Sequence, residues 1–539
     1  MNTIEAKEPR AGASCDILLR GGVVYDGTGA PGKRADIAIR DERIVAIGAL
    51  DHWQAGMVVD VSGLCVAPAF IDIHTHSDFS LLHHPEQLSM LYQGIGTQVV
   101  GNCGLGVAQT DPSPLFQQEQ RWLKPYGVEV DWNSFDEHLK RVGDQGVGTN
   151  VIFLCAHGTL RKKVMNFDRR APTAEELLAM QREVATCMEA GAWGFSTGLE
   201  YVPGSYADTH ELIELAKIAA EYGGFYATHL RSEGDQLVES VAEALQIAEQ
   251  AGLPLQLSHH KAEGHRNWGK VHQTLQMVTD AVQRGHDVML DVYPYTAYQT
   301  SMGVACLPSW ALTGEPKEVL ERLRDPVMRQ QILQAMRERH DDWETAVIGS
   351  VPGNRALQGL SVAQAAAEAG QSPEEFVLDL LLQEGLFVSV ACFNLSEEDL
   401  RTVLRYPLTM IGSDGVGYDP VKMSAERPHP RCYGAFPRVL RHYVREEGLL
   451  TLEEAIFKMT GLPAKRLGLT DRGVLQPGAY ADIVVFDFVR ITDRATFREP
   501  HQLAEGVVHL ILNGRWALRD GHATGTRAGK VLRRAATAK

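Results

Sequence analysis

The chain has 539 residues, 44% of them apolar, which supports a large core and excludes both a disordered protein and a single small domain. Its 52 Lys and Arg stand against 68 Asp and Glu, and the net charge of −16 excludes bulk attraction to nucleic acid or an anionic membrane, so an anionic substrate needs locally placed cations. The eight cysteines form no CxxC pair, residues 1–10 lack an apolar leader core, and no apolar run reaches the ~18 residues of a spanning helix, which together point to the cytoplasm.

From Asp16 to Gly63, short β-like runs (Ile17 to Leu19, Val23 to Tyr25, Ile37 to Ile39, Ile44 to Ile47) alternate with turns. The far end does the same, in Gly473 to Asp487 and Val507 to Leu512. Neither segment buries enough apolar area to stand alone. Residues 1–66 and 471–539 are therefore expected to form one composite β domain around a middle domain, 67–470.

In that middle, strand-like and helix-like stretches alternate as βα units. The strand candidates are Gln98 to Val100, Asn150 to Ala156, Trp193 to Ser196, Phe225 to Thr228, Leu255 to Ser258, Val288 to Tyr293, Ala346 to Ile348 and Leu408 to Ile411. Helical periodicity fits Ala174 to Ala190, His210 to Tyr222, Gln236 to Ala251, Lys270 to Arg284 and Leu452 to Leu467. This rhythm favours a TIM-type (β/α) barrel, whose site lies where the strands end. The charged stretch Cys306 to Asp342 interrupts the rhythm and reads as a lid insertion or an extra surface helix pair.

His74-Thr75-His76 closes the apolar run Leu64 to Ile73, and residues one apart on a strand face the same side. Cys103 in Gly101-Asn-Cys-Gly, His229 after Phe225 to Thr228, His259 after Leu255 to Ser258 and Asp414 in Gly412-Ser-Asp-Gly also stand just past apolar runs. Imidazole, thiolate and carboxylate are the donors that zinc prefers. Each alone is more often structural; together they predict a metallohydrolase. His260 must face away from His259 and reads as a supporting or core residue, and Lys162 and Lys163 read as a solvated basic patch rather than a metal bridge.

With its HTH at 74–76, GNCG at 101–104, STGLEYVPGSYA at 196–207, THLRSEG at 228–234, SHHK at 258–261, DVYPYTA at 291–297, SDG at 413–415 and HPR at 429–431, the chain resembles the amidohydrolase superfamily, and within it the D-aminoacylase family. The resemblance implies a TIM-type barrel with a small β-sandwich from both termini, and zinc-dependent hydrolysis of N-acyl-D-amino acids. It further implies one tightly bound zinc on Cys103, His229 and His259 and a second, weaker position on His74, His76 and Asp414, with Cys103 able to bridge. Asp414 would double as general base, and Lys261, Tyr293 and Arg431 would clamp the substrate carboxylate. The stretch Val416 to Pro428 is longer than the family pattern and leaves Arg427 as a substitute for Arg431. A preference for acidic side chains needs one more cation, for which Arg231 and Arg427 are candidates. Rival readings are a cyclic-amide hydrolase on the same barrel, which calls for a carboxylated lysine, and a non-catalytic barrel protein.

Overall fold

Short runs of Val, Ile, Leu and Phe buried on both faces pair in parallel and leave most of their polar residues to the strand ends. The structure, a computed structural model, describes residues 13–339 and 342–535. The segment 1–10 read for a leader lies outside it, as do 340–341 of the charged insertion and 536–539 of the tail.

Phe70–Asp72, Ile95–Val100 and Asn150–Phe153 form a three-stranded parallel sheet. Cys155–Ala156, Gly194–Gly198, Phe225–His229, Leu255–Leu257, Val288–Val292 and Thr409–Ile411 form a six-stranded parallel sheet. Every residue in these strands is buried. The two sheets are stitched at both margins. On one side Leu154 N donates to Val100 O at 2.9 Å and Trp193 N to Phe153 O at 3.0 Å; on the other Thr75 bridges Gly415 and Asp414 N donates to His74 O at 2.9 Å. Helices Ala174–Glu189, Thr209–Glu221, Leu237–Ala251 and Lys270–Gln283 follow the predicted periodicity, each burying one stripe, such as Leu237, Val241, Ala244, Leu245 and Ala248. The fold is mixed α/β with parallel sheets.

Three expectations change. Leu452 to Leu467 is two helices, Leu452–Met459 and Gly461–Leu467, broken at Thr460. A Cβ on Gly461 would lie 2.1 Å from Gly27 O, so the break lets this backbone pack against the N-terminal turn. Ala346–Ile348 is no part of the parallel sheets; it pairs antiparallel with Ser389–Cys392, which also pairs with Tyr298–Ser301. The insertion is thus larger than 306–342. It begins at Tyr298, carries its own core (Met302, Leu323, Ile332, Met336, Val362, Leu381), and leaves Val288–Val292 and Thr409–Ile411 as hydrogen-bonded neighbours on either side of it.

The two termini share one nine-stranded sheet. Cys65–Pro68 pairs antiparallel with Ile483–Phe486, with Val66 opposite Val485, and Ile17, Ile37, Ile39, Ile44, Val66, Ile483 and Ile511 pack together. The sequence reading missed three members, Gln54–Asp60, Arg515–Arg519 and His522–Ala523; the first alternates between exposed and half-buried residues and carries little apolar signal. Past this sheet, the chain runs back along the parallel strands: Lys530 O accepts from Val151 N at 2.9 Å and Leu532 O from Trp193 Nε1 at 2.8 Å.

A buried polar node ties the systems together. Asp482 pairs with Arg472, accepts from Asn150 Nδ2 at 3.0 Å on a parallel strand, and accepts from Asn513 N at 2.7 Å. Asn150 Oδ1 in turn accepts from Asn513 Nδ2 and Lys530 N. Replacing Asp482 by Ala strands a buried guanidinium, and the expected cost is about 3–5 kcal/mol, read as an earlier denaturation midpoint. Asp482→Asn, which keeps an acceptor oxygen, is expected to lose less.

Candidate metal and substrate site

The His74-Thr75-His76 alternation is realised as read: Thr75 turns away, its Oγ1 donating to Val99 O at 2.9 Å, while both imidazoles face Asp414. Cys103 has φ +54°, and its neighbours need to be glycine, since a Cβ on Gly101 would lie 2.6 Å from Leu154 O and one on Gly104 2.7 Å from Gly198 N. His259 (φ +34°) and Asp414 (φ +50°) also occupy the left-handed region that side chains disfavour. Three strained residues at one locus mark a site where geometry outranks local comfort.

The strand ends bring together all six residues proposed as ligands. Cys103 Sγ lies 3.4 Å from His74 Nε2 and 3.5 Å from His259 Nε2; His229 Nδ1 is 3.0 Å from His259 Nε2. Asp414 Oδ1 is 3.1 Å from His76 Nε2 and 3.5 Å from His74 Nε2. Two groups of three have their donor atoms within 4.8 Å of one another, His74 with Cys103 and His259, and His74 with His76 and Asp414; a third joins His229 and His259 to Glu233, so the structure groups Cys103 and His229 each with His259 rather than all three together. Tetrahedral zinc with nitrogen and sulfur ligands at about 2.0–2.3 Å separates its ligand atoms by about 3.3–3.6 Å, so the donor set and most of its spacings fit such an ion. Burial disfavours a Cys103 thiolate, yet His74 and His259 outweigh it and hold the thiol well below its ordinary range, the form a metal needs.

Behind these donors stand carboxylates that the sequence reading did not single out. Asp291 accepts from His259 N at 2.7 Å and Gln256 Nε2 at 2.6 Å, and lies 3.2 Å from His74 Nδ1. Glu233 takes His259 Nδ1 at 2.9 Å and Lys261 Nζ at 2.5 Å; Glu200 lies 3.0 Å from His229 Nε2. The signal for Asp291 was present: a carboxylate inside the fully buried strand Val288–Val292 must have partners.

The remaining predicted residues line the same cavity, of about 390 Å³. Arg431 Nη1 lies 2.7 Å from Asp414 Oδ2; burial opposes the Asp414 charge, but Arg431 and the imidazoles hold its carboxyl well below the usual range. Burial likewise opposes the Lys261 charge, which Glu233 sustains above the ordinary lysine range. Tyr293 Oη and Arg431 Nε are buried without a hydrogen-bond partner, and the guanidinium lies 4.8 Å over the Tyr293 ring. Such unmatched donors suit an incoming anion.

Other candidates lie elsewhere. Arg427 donates to Phe497 O and Arg498 O, so it is no substitute for Arg431 at the cavity. Arg231 is held by Glu243, Ser205 O and Ala207 O. His260 is a core residue, bound to Thr274 Oγ1 and pushed down to about 4 by burial. Lys163 pairs with Glu183, but Lys162 is buried near the rings of Phe116 and Phe167 rather than solvated, because the helix His157–Met165 turns it inward. Neither lysine lines the cavity.

A model of the amidohydrolase family matches residues 57–517. The chain belongs to this family, in its D-aminoacylase branch. It is 38% identical to the D-aminoacylase of Alcaligenes xylosoxydans xylosoxydans over 525 residues, covering 97% of this chain and 98% of that protein. To the N-acyl-D-aspartate deacylase of the same organism it is 37% identical over 528 residues, covering 97% and 96%. The crystal structure of the N-acyl-D-glutamate deacylase of Bordetella bronchiseptica, complexed with zinc and a phosphonate mimic of the tetrahedral intermediate, superposes with a TM-score of 0.82 at 36% identity, covering 96% of this chain and all of that one.

Because Asp291 orients His74 through its side chain and His259 through its backbone, Asp291→Asn is expected to weaken zinc binding about 10–100-fold. Competition with a chromophoric chelator measures this, with an unchanged far-ultraviolet dichroism spectrum showing that the fold survives.

Proposed function

We propose that the chain is a zinc-dependent hydrolase that cleaves the amide bond of N-acyl-D-amino acids, yielding a carboxylic acid and a free D-amino acid. The observation that carries this reading is the juxtaposition of a buried His, Cys and Asp donor cluster with a cationic clamp, Lys261, Tyr293 and Arg431, in one cavity. The relatives named above act on N-acyl-D-amino acids by name, and they agree with it. The parallel strands then form a closed TIM-type barrel, and the sheet shared by the termini serves as a small β-sandwich domain. Eight buried cysteines scattered along the chain with no CxxC pair suit a reducing compartment, and the cytoplasm is the proposed location.

Cys103, His229 and His259 would hold one zinc tightly, and His74, His76 and Asp414 would form a weaker second position. When bound, zinc supplies Lewis acidity, polarising an acyl carbonyl and acidifying a water molecule. Asp414 accepts the proton of the attacking water at a carboxylate oxygen and delivers it to the departing amine nitrogen. Lys261, Tyr293 and Arg431 bind the substrate carboxylate with charge-assisted hydrogen bonds and so fix the scissile amide beside Asp414. A carboxylate in the clamp gives Arg431 a second acceptor and loosens its hold on Asp414, which makes that base stronger at the moment substrate is bound. The cyclic-amide alternative calls for a carboxylated lysine among the metal ligands; the lysine of this cavity, Lys261, is instead paired with Glu233.

Zinc-loaded protein is expected to release amine from N-acetyl-D-methionine and not from its L enantiomer, with activity lost to a chelator and restored by zinc. Asp414→Asn is expected to lower kcat by at least about 10³-fold while the tight zinc remains by elemental analysis. Normal turnover by that variant removes Asp414 from the proton transfer.

A further inference from the structure

Beyond the reaction class lies the choice of amino acid, and here the charge map of the cavity is one-sided. Among the described residues lining it, the cations other than imidazoles are Lys261 and Arg431. Both are already engaged, Lys261 by Glu233 and Arg431 by Asp414, and the substrate α-carboxylate calls on both. Five carboxylates share the same cavity: Asp78, Glu200, Glu233, Glu263 and Asp414. The two arginines that could have supplied a third cation are turned into other parts of the protein, as described above.

One wall of the cavity adjoins the clamp. Arg431 Nη2 lies 3.4 Å from Gln299 O, which sets the start of the insertion directly beside the clamp. The lining residues Tyr298, Gln299, Thr300, Ser301, Val304 and Ala305 thus form the stretch of cavity wall that adjoins the clamp. This wall offers aromatic and aliphatic surface, hydroxyls and one amide, and no positive charge. A second carboxylate placed there loses its hydration without a counter-charge and stands in a field of acidic groups.

Resting on the reading above, we propose that this enzyme takes N-acyl-D-amino acids with uncharged side chains and rejects acidic ones, the rejection being electrostatic and set at the wall formed by residues 298–305. The sharpest probe is a pair that differs in charge but hardly in size, N-acetyl-D-glutamine against N-acetyl-D-glutamate, with N-acetyl-D-methionine as apolar reference and the L enantiomers as controls. The expected kcat/KM for the glutamate substrate is at least about 100-fold below that for the glutamine substrate. Ser301→Arg and Val304→Arg, made separately so that one misfolded variant does not end the test, are each expected to narrow that gap at least tenfold while lowering turnover of the methionine substrate.

Glutamate turned over as well as glutamine overturns the proposal and leaves the deacylase reading intact. Equal rejection of glutamine and glutamate, with methionine accepted, also overturns it, since size or polarity rather than charge would then decide. Folded arginine variants that leave the gap unchanged overturn the placement at this wall. Absence of release from every D substrate removes the deacylase reading and this proposal together.

Discussion

The site depends on one buried carboxylate. Asp291 sits inside a fully buried strand, where a lone charge is untenable, and it is made tolerable by three donors: a glutamine side chain, the backbone of His259 and the imidazole of His74. Those contacts join two residues that lie 185 positions apart, the difference between 74 and 259, and fix the attitude of one ring and the backbone of the other. The left-handed turn at His259 is held by the same bond to its N–H. Glu233 repeats the device one layer out, engaging the far nitrogen of His259 and the ammonium of Lys261, so the donor cluster and the substrate clamp share a support.

That sharing makes the cavity electrostatically tense. Arg431 and Lys261 each serve a protein carboxylate before they serve a substrate, and Tyr293 Oη has no partner at all. On the proposed reading, a substrate anion does not simply fill an empty charge; it redistributes donors already in use. In the proposed mechanism the tie between Arg431 and Asp414 links recognition to chemistry, since the group proposed to read the substrate also sets the basicity of the group proposed to move its proton.

Much of this was legible because ligand-type residues follow apolar runs, and a strand that is buried along its length shows most of its polar side chains where it ends. His74, His76, Cys103, His229, His259 and Asp414 all announce themselves this way. Asp291 and Glu233 do not, because their meaning lies in partners far along the chain, and one carboxylate in a run of text carries no mark of what it will meet. Register was opaque for a related reason: Ala346–Ile348 has the composition of a parallel strand, yet a three-residue apolar run cannot say which sheet it joins. Thr460 interrupts a continuous helical pattern because the glycine after it must make room for the N-terminal turn, a tertiary demand invisible in local periodicity.

The insertion that begins at Tyr298 has a core of its own, and the parallel strands on either side of it pair directly with each other. It is therefore a cassette hung from the scaffold by two closely spaced connections. Six of its first eight residues line the cavity, while the donor cluster sits on strands outside it. Natural selection can thus rewrite one wall of the cavity by drift or exchange within the cassette, leaving the strained geometry of the donor cluster unvisited. A lineage built this way can diversify its diet of substrates faster than its chemistry.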